Sequence, residues 1–236
     1  MKRTCRMMLG AVVLLGGLLS FSREAAAGPI YGFVVVPSSD SNAVNAATGE
    51  AQLTVEVNDA GNEQVSFTFR NAGPNASSIT DVYFDDGSLL GISSIDADNT
   101  SSGVSFSIGA SPGNLPRGSS INFNASSSFF TADSDPPAQP NGVNPGEYLT
   151  VLVNLQPDKT YADTIAAIAL SLASPGVDVE GGLRLGIHVQ GYADGGSESF
   201  VNGETPDGGP LVPLPLAALG GVALLGLVAG SRSRKA

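Results

Sequence analysis

Ala51-Gln52-Leu53-Thr54-Val55-Glu56-Val57, then Asn58-Asp59-Ala60-Gly61-Asn62, then Gln64-Val65-Ser66-Phe67-Thr68-Phe69-Arg70: this stretch decides the fold class. Apolar residues occupy alternate positions in both flanks, Leu53, Val55 and Val57 in the first and Val65, Phe67 and Phe69 in the second. A period of two puts those side chains on one face of an extended chain, as in a half-buried strand. The connecting residues are turn formers, so the two runs read as a β-hairpin.

The same pattern extends outward in both directions. Residues 30–36 are rich in β-branched side chains, and 79–84, 104–108 and 120–123 continue as short strands. Residues 147–155 and 182–190 are strong strands, and 197–201 closes the series. Residues 160–170 depart from the period. They favour a short helix, with Thr160 as N-cap, Asp163 in the first turn and Ile165, Ile168 and Leu172 on one face. Residues 109–118 and 131–146 read as long irregular loops. No fixed-period repeat and no internal linker divides the chain, so residues 28–205 are expected to form a single antiparallel β-sandwich with one short helix.

Both ends of the chain read differently. Lys2, Arg3 and Arg6 form a basic start, residues 7–19 are apolar, and Ala25-Ala26-Ala27 offers a small-x-small cleavage site before Gly28. Residues 1–27 therefore read as a secretory signal peptide, cut by signal peptidase after Ala27, with Ala25 and Ala27 flanking the site. Residues 206–236 begin with a Pro/Gly linker and continue as Leu211-Val212-Pro213-Leu214-Pro215. An uncharged run over 216–230 follows, and then the basic residues Arg232, Arg234 and Lys235. Counted from Leu211, this tail reaches the ~20 residues of a membrane-spanning helix. Its basic end would stay cytoplasmic and the domain outside. An ordinary single-pass anchor would have the same topology.

Between Gly28 and Gly209 there are four basic residues (Arg70, Arg117, Lys159 and Arg184) against twenty-one acidic ones, a formal charge of −17. So acidic a surface excludes nucleic-acid binding, which depends on Lys and Arg neutralising phosphate. The charge either solvates a surface protein or includes carboxylates that hold a divalent cation. The single cysteine, Cys5, lies ahead of the apolar run and would leave with the signal peptide. The remaining domain has no disulfide and no thiolate, and at roughly 180 residues it can bury a core without such staples.

The order of Pro motif, hydrophobic helix and terminal basic cluster resembles the PEP-CTERM class of bacterial sorting signals. Val212-Pro213-Leu214-Pro215 stands where that family has Val-Pro-Glu-Pro and looks like its Val-Pro-Leu-Pro variant; Leu214 is the departure. The resemblance implies export, recognition by an exosortase-type membrane protease, transient residence in the inner membrane, and delivery to the cell surface or extracellular matrix. Phrases within the domain, among them residues 79–86, 141–147, 186–191 and 194–202, are similar to those of uncharacterised exported proteins of the same class. No chemistry follows from that second similarity.

Candidate chemistry is sparse. His188 is the only histidine, and alternation places it with Arg184 and Gln190 opposite Leu183, Leu185, Ile187 and Val189. A Ser-His-Asp set would need His188, yet no Gly-x-Ser-x-Gly elbow occurs, so a structural histidine is the plainer reading. Acidic residues group as Asp81/Asp85/Asp86, Asp96/Asp98, Asp133/Asp135 and Asp194/Glu198. Asp96 and Asp98 begin like a calcium loop but lack the later Gly and Glu of an EF-hand. Paired carboxylates suit glycoside hydrolysis, although the chain has no Trp for stacking against sugars. The expectation is a non-enzymatic surface or matrix protein with no obligatory cofactor, associated with exopolysaccharide or biofilm. The alternatives are a secreted carboxylate-dependent glycoside hydrolase and a calcium-dependent adhesion module.

Overall fold

The computed structural model describes residues 27–37, 42–85, 90–125, 127–173 and 177–204. In chain order the elements are β1 (Ile30–Val35), α1 (Ala43–Gln52), β2 (Leu53–Gly61), β3 (Gln64–Asn71), β4 (Ser78–Asp85), β5 (Leu90–Ile95) and β6 (Phe106–Ile108). They continue as β7 (Thr131–Ser134), α2 (Ala138–Asn141), β8 (Tyr148–Leu155), α3 (Tyr161–Leu172), β9 (Arg184–Gln190) and β10 (Glu198–Gly203). The fold is all-β and antiparallel, with few helices. Hydrogen bonding runs unbroken through ten strands in the order β5-β8-β3-β2-β1-β10-β9-β4-β7-β6. The edge strands β5 and β6 approach each other, so the described residues form one nearly closed sheet in place of the two separate packed sheets of the expected sandwich.

The hairpin read from the sequence is β2–β3, paired from Leu53↔Asn71 to Gly61↔Gln64 with a bulge between Asp59 and Gly61. Its reversal falls at Asn62 and Glu63, whose φ values of 51° and 60° suit the mirror-image turn that matches strand twist. The alternation reports burial correctly: Leu53, Val55, Val57, Val65, Phe67 and Phe69 are all fully buried. Phe67 and Phe69 of β3 meet Phe84 of β4 edge-on, with ring centroids 5.0 and 6.1 Å apart. β3 and β4 are separated in the sheet by four strands, so these contacts lie across the interior and mark the core. Each such buried aromatic contributes about 1.5–3 kcal/mol of apolar burial, plus ~0.5–1.5 kcal/mol from the ring geometry.

The helix expected near residue 160 is α3. Thr160 caps it, and Thr160 and Asp163 form a reciprocal capping box. Ile168 is fully buried, with Ile165 and Leu172 packed beside it against the core. α1 was not expected. Asn42 caps its start, and it passes directly into β2. It approaches β10 so closely that a Cβ on Gly49 would lie 2.2 Å from the Phe200 ring. Its last residue, Gln52, is buried: its Nε2 donates to Asn71 Oδ1 (2.9 Å) and Ser77 Oγ (2.6 Å), and its Oε1 accepts from the Asn75 amide (3.2 Å).

Two other expectations are corrected. Residues 120–123 are not a strand: Gly118–Ile121 is a 3₁₀ turn flanked by Arg117 and Asn122 with φ of 61° and 51°, which an extended chain cannot accommodate. Residues 131–146 are not a plain loop, because β7 pairs with β4 and β6 there and α2 follows. β5 was likewise not foreseen.

The two halves of the sheet differ on their outer faces. In β4 and β10 nearly every residue is buried on both faces, whereas β2, β3 and β8 alternate. The covering segment is 109–125, which packs Leu115, Ile121 and Phe123 on Val36, Tyr83 and Val201 as a second apolar cluster. Gly186 makes room for it, since a Cβ there would lie 2.9 Å from Phe123 and 3.0 Å from Leu115. Arg184 fixes it from beneath. Its guanidinium pairs with Asp85, donates to the carbonyls of Ile121 (2.7 Å) and Asn122 (2.8 Å), and lies 5.3 Å from the Phe123 ring centroid.

Candidate functional site

Among the described residues, the half of the sheet not covered by segment 109–125 carries an open groove of about 780 Å³ on the outer face of β2, β3 and β8. It follows β3 from Gln64 to Arg70, a length of ~20 Å at the strand rise of about 3.3 Å per residue. The hydroxyls of Thr68 and Thr150, cross-strand partners, meet at 3.1 Å in its floor. At one end Arg70 lies over the Tyr148 ring, 4.9 Å from its centroid, and pairs with Glu56 at 3.2 Å. At the other end is the β2–β3 turn, where Asp59 accepts from the Gly61 amide at 2.9 Å. The turn at Asp96–Asn99 forms a side wall. Apart from Ala60 and Leu152, every lining residue offers a polar side-chain group. The surface is one of hydroxyls, amides and carboxylates with one amphipathic ring, suited to a ligand rich in hydrogen-bonding groups.

A second polar cluster lies on the covered half. Pairing places Asp133 of β7, Asp81 of β4, His188 of β9 and Ser199 of β10 in one row across four strands. Asp81 is buried; its Oδ2 accepts from Thr80 Oγ1 (2.8 Å) and lies 3.1 Å from His188 Nδ1. Asp133 is hydrogen-bonded to Asp81 and to the Ser111 amide, and burial, then the Asp81 charge, push its carboxyl above the usual carboxylate range. The Tyr83 hydroxyl is pushed up by burial and by both carboxylates, and it donates to the Pro112 carbonyl at 3.1 Å. The order Asp81–His188–Ser199 has the composition of a catalytic triad. However, Ser199 is only 2 % exposed and its Oγ has no hydrogen-bond partner among the described residues. The row ties segment 109–125 to the sheet, and its serine hydroxyl is closed off from an external substrate.

The other sequence candidates are distributed as follows. Asp96 caps the turn 97–99, accepting from the Asn99 amide (3.2 Å) and side chain (2.8 Å), while Asp98 is exposed. Among the described residues no group of three or more His, Cys, Asp or Glu side chains is placed to hold a metal ion. Asp135 accepts from Ser105 (2.6 Å) and Ser107 (2.7 Å), whose hydroxyls lower its pKa. Asp194 is exposed, and Glu198 is buried against Arg117 at 3.2 Å. Asp86 lies outside the described residues.

Of the expected signal-cleavage residues, Ala27 is exposed, and Gly28 is buried with its amide donating to Asn58 Oδ1 at 2.6 Å. Ala25 lies outside the described residues, as do the sorting residues Val212, Pro213, Leu214, Pro215, Arg232, Arg234 and Lys235. Among the described residues no helix is long and apolar enough to cross a membrane. The groove itself escaped the sequence reading, although Ser66, Thr68 and Thr150 all stand at outward positions of runs already read as strands. Comparison with protein-family models, curated proteins and solved structures gives no match for this chain.

Proposed function

We propose that this chain is an exported surface or extracellular-matrix protein, non-enzymatic, whose β-domain associates with exopolysaccharide through the β2–β3–β8 groove. The observation that carries this reading is the groove, an open, polar trough ~20 Å long on the half of the sheet that segment 109–125 leaves bare. A polymer can lie along it without threading, and alternating hydroxyl, amide and carboxylate groups match a chain of hydroxyl-bearing rings. Delivery rests on the two ends of the sequence: the signal peptide over residues 1–27 and the PEP-CTERM-like tail over 206–236, processed by signal peptidase and an exosortase-type protease.

A glycoside hydrolase would hold two carboxylates across a cleft, with one in apolar surroundings that keep it a general acid. Asp59 and Asp96 both line the groove, but Asp59 is exposed and Asp96 serves its own turn, so binding is better supported than hydrolysis. The test is co-sedimentation of the full chain with polysaccharide from the native matrix, compared with Ser66→Trp, which fills the groove from an outward, half-buried position. Binding by the parent and its loss in the variant supports the reading. Equal binding by both removes the groove from it. A mature mass lacking residues 1–27 and the tail beyond about Pro215 would establish the delivery route, and an intact tail in the inner membrane would overturn it.

A further inference from the structure

We infer that the groove is built for a cationic polysaccharide, a polymer of amino sugars with a fraction of free ammonium groups, rather than for a neutral or uronic-acid polymer. The inference rests on the glycan-binding reading above and concerns which glycan is bound. The residues that line the groove include one cation, Arg70, and two carboxylates, Asp59 and Asp96. The cation is spoken for, because the Arg70 guanidinium is paired with Glu56 and laid over the Tyr148 ring. The carboxylates of Asp59 and Asp96 have no basic partner among the described residues; their bonds are to neutral donors, the Gly61 amide and the Asn99 amide and side chain.

The groove's local charge is therefore negative, and it sits in a segment between Gly28 and Gly209 with four basic and twenty-one acidic residues. A polyuronate approaching this surface meets like charge over its whole length. A neutral polymer gains hydrogen bonds but nothing from the field. A polymer carrying ammonium groups gains both, and the surrounding acidic surface raises its local concentration before contact. The remaining groups complete the match, since the partly exposed Gln64 and Ser66 and the exposed Asn99 supply neutral donors and acceptors for hydroxyls and for residual acetamido groups.

The experiment is titration of the full chain, in mild detergent, with three hexasaccharides: partially de-N-acetylated chitosan, its fully acetylated counterpart and an oligouronate. Preferential binding of the de-N-acetylated oligomer is expected, weakening roughly tenfold between ~0.02 and ~0.5 M NaCl as exposed charges are screened. Asp59→Asn with Asp96→Asn should remove the preference, and Asn retains capping ability at position 96. Glu180→Gln with Asp194→Asn makes the same change in net charge at exposed sites away from the groove and should leave the preference intact. If the acetylated oligomer binds as tightly, or the uronate more tightly, the cationic assignment is overturned while glycan binding survives. If none of the three binds at either salt, while native matrix polysaccharide still co-sediments and Ser66→Trp abolishes it, the assignment alone fails. Absence of both sinks the assignment and the glycan-binding reading together.

Discussion

Replacing Arg184 with Met should cost about 3–5 kcal/mol, and the figure follows from what the guanidinium touches. Arg184 is 4 % exposed; it pairs with Asp85 and gives the carbonyls of Ile121 and Asn122 donors at 2.7 and 2.8 Å. Removing one partner of a buried ion pair costs ~3–5 kcal/mol, because the other charge stays buried without its counterion. Each of the two carbonyls left without a donor adds ~1 kcal/mol, the low end for an unmade bond, because segment 109–125 lies on the surface and water reaches its carbonyls once it loosens. Two effects work the other way. Asp85 keeps its bond from the Asn124 amide at 3.0 Å, and the Met side chain returns ~1.5–3 kcal/mol of apolar burial. The net therefore stays near the cost of the broken pair. With a urea m-value of about 2 kcal/mol/M for a domain of this size, the midpoint should fall by ~1.5–2.5 M. Proteolysis under native conditions should at the same time find new sites within residues 109–125, because Arg184 holds that segment to the sheet. Arg184→Lys, which keeps the charge but loses the planar fork, should fall between parent and Met variant. A midpoint shift below ~0.5 M at unchanged m, with 109–125 still resistant, would refute the account of Arg184 as the anchor.

Two further predictions test the same reasoning at other sites. Asp133 is held above the usual carboxylate range by burial and by Asp81, so its contribution to stability is full below the unfolded pKa near ~3.9 and is lost as pH rises through the folded value. Asp133→Asn, which keeps a donor toward Asp81 without the second charge, should raise Tm at pH 7, and the difference from the parent should close toward pH 4. A lower Tm at pH 7 would contradict the charge-repulsion argument. Gly49→Ala would ordinarily stabilise a helix by up to ~1 kcal/mol. Here the new Cβ lies 2.2 Å from the Phe200 ring, so overpacking of about 1–3 kcal/mol should win and Tm should drop; a rise in Tm would show that α1 has slack against β10.

What the chain determines locally could be read from it directly. The alternation at Leu53–Val57 and Val65–Phe69 and at Leu183–Val189 assigns the core face of β2, β3 and β9 without error, because a period of two is a property of the extended backbone itself. The Thr160–Asp163 capping box marks the start of α3 for the same reason: its bonds span three residues. Alternation reports which side chains share a face, but it does not report what covers the opposite face. Arg184 and His188 were placed correctly on the outer side of β9. That Arg184 is buried there, beneath Phe123, depends on a segment some sixty residues away folding back across the sheet, as the Arg184–Ile121 separation of 63 residues shows. α1 was missed because its ten residues have a weak apolar stripe and are held by Gly49 against Phe200 and by the Gln52 network, all of them tertiary contacts. The groove has the same origin, since Thr68 and Thr150 are 82 residues apart in sequence and become neighbours only through the pairing of β3 with β8. Sequence alone determined the all-β class, the core faces and the acidic character of this protein, because backbone period and composition are local quantities. Tertiary structure alone decided the strand order, which half of the sheet is covered and where a ligand has room to lie, because each depends on contacts between residues far apart in the chain.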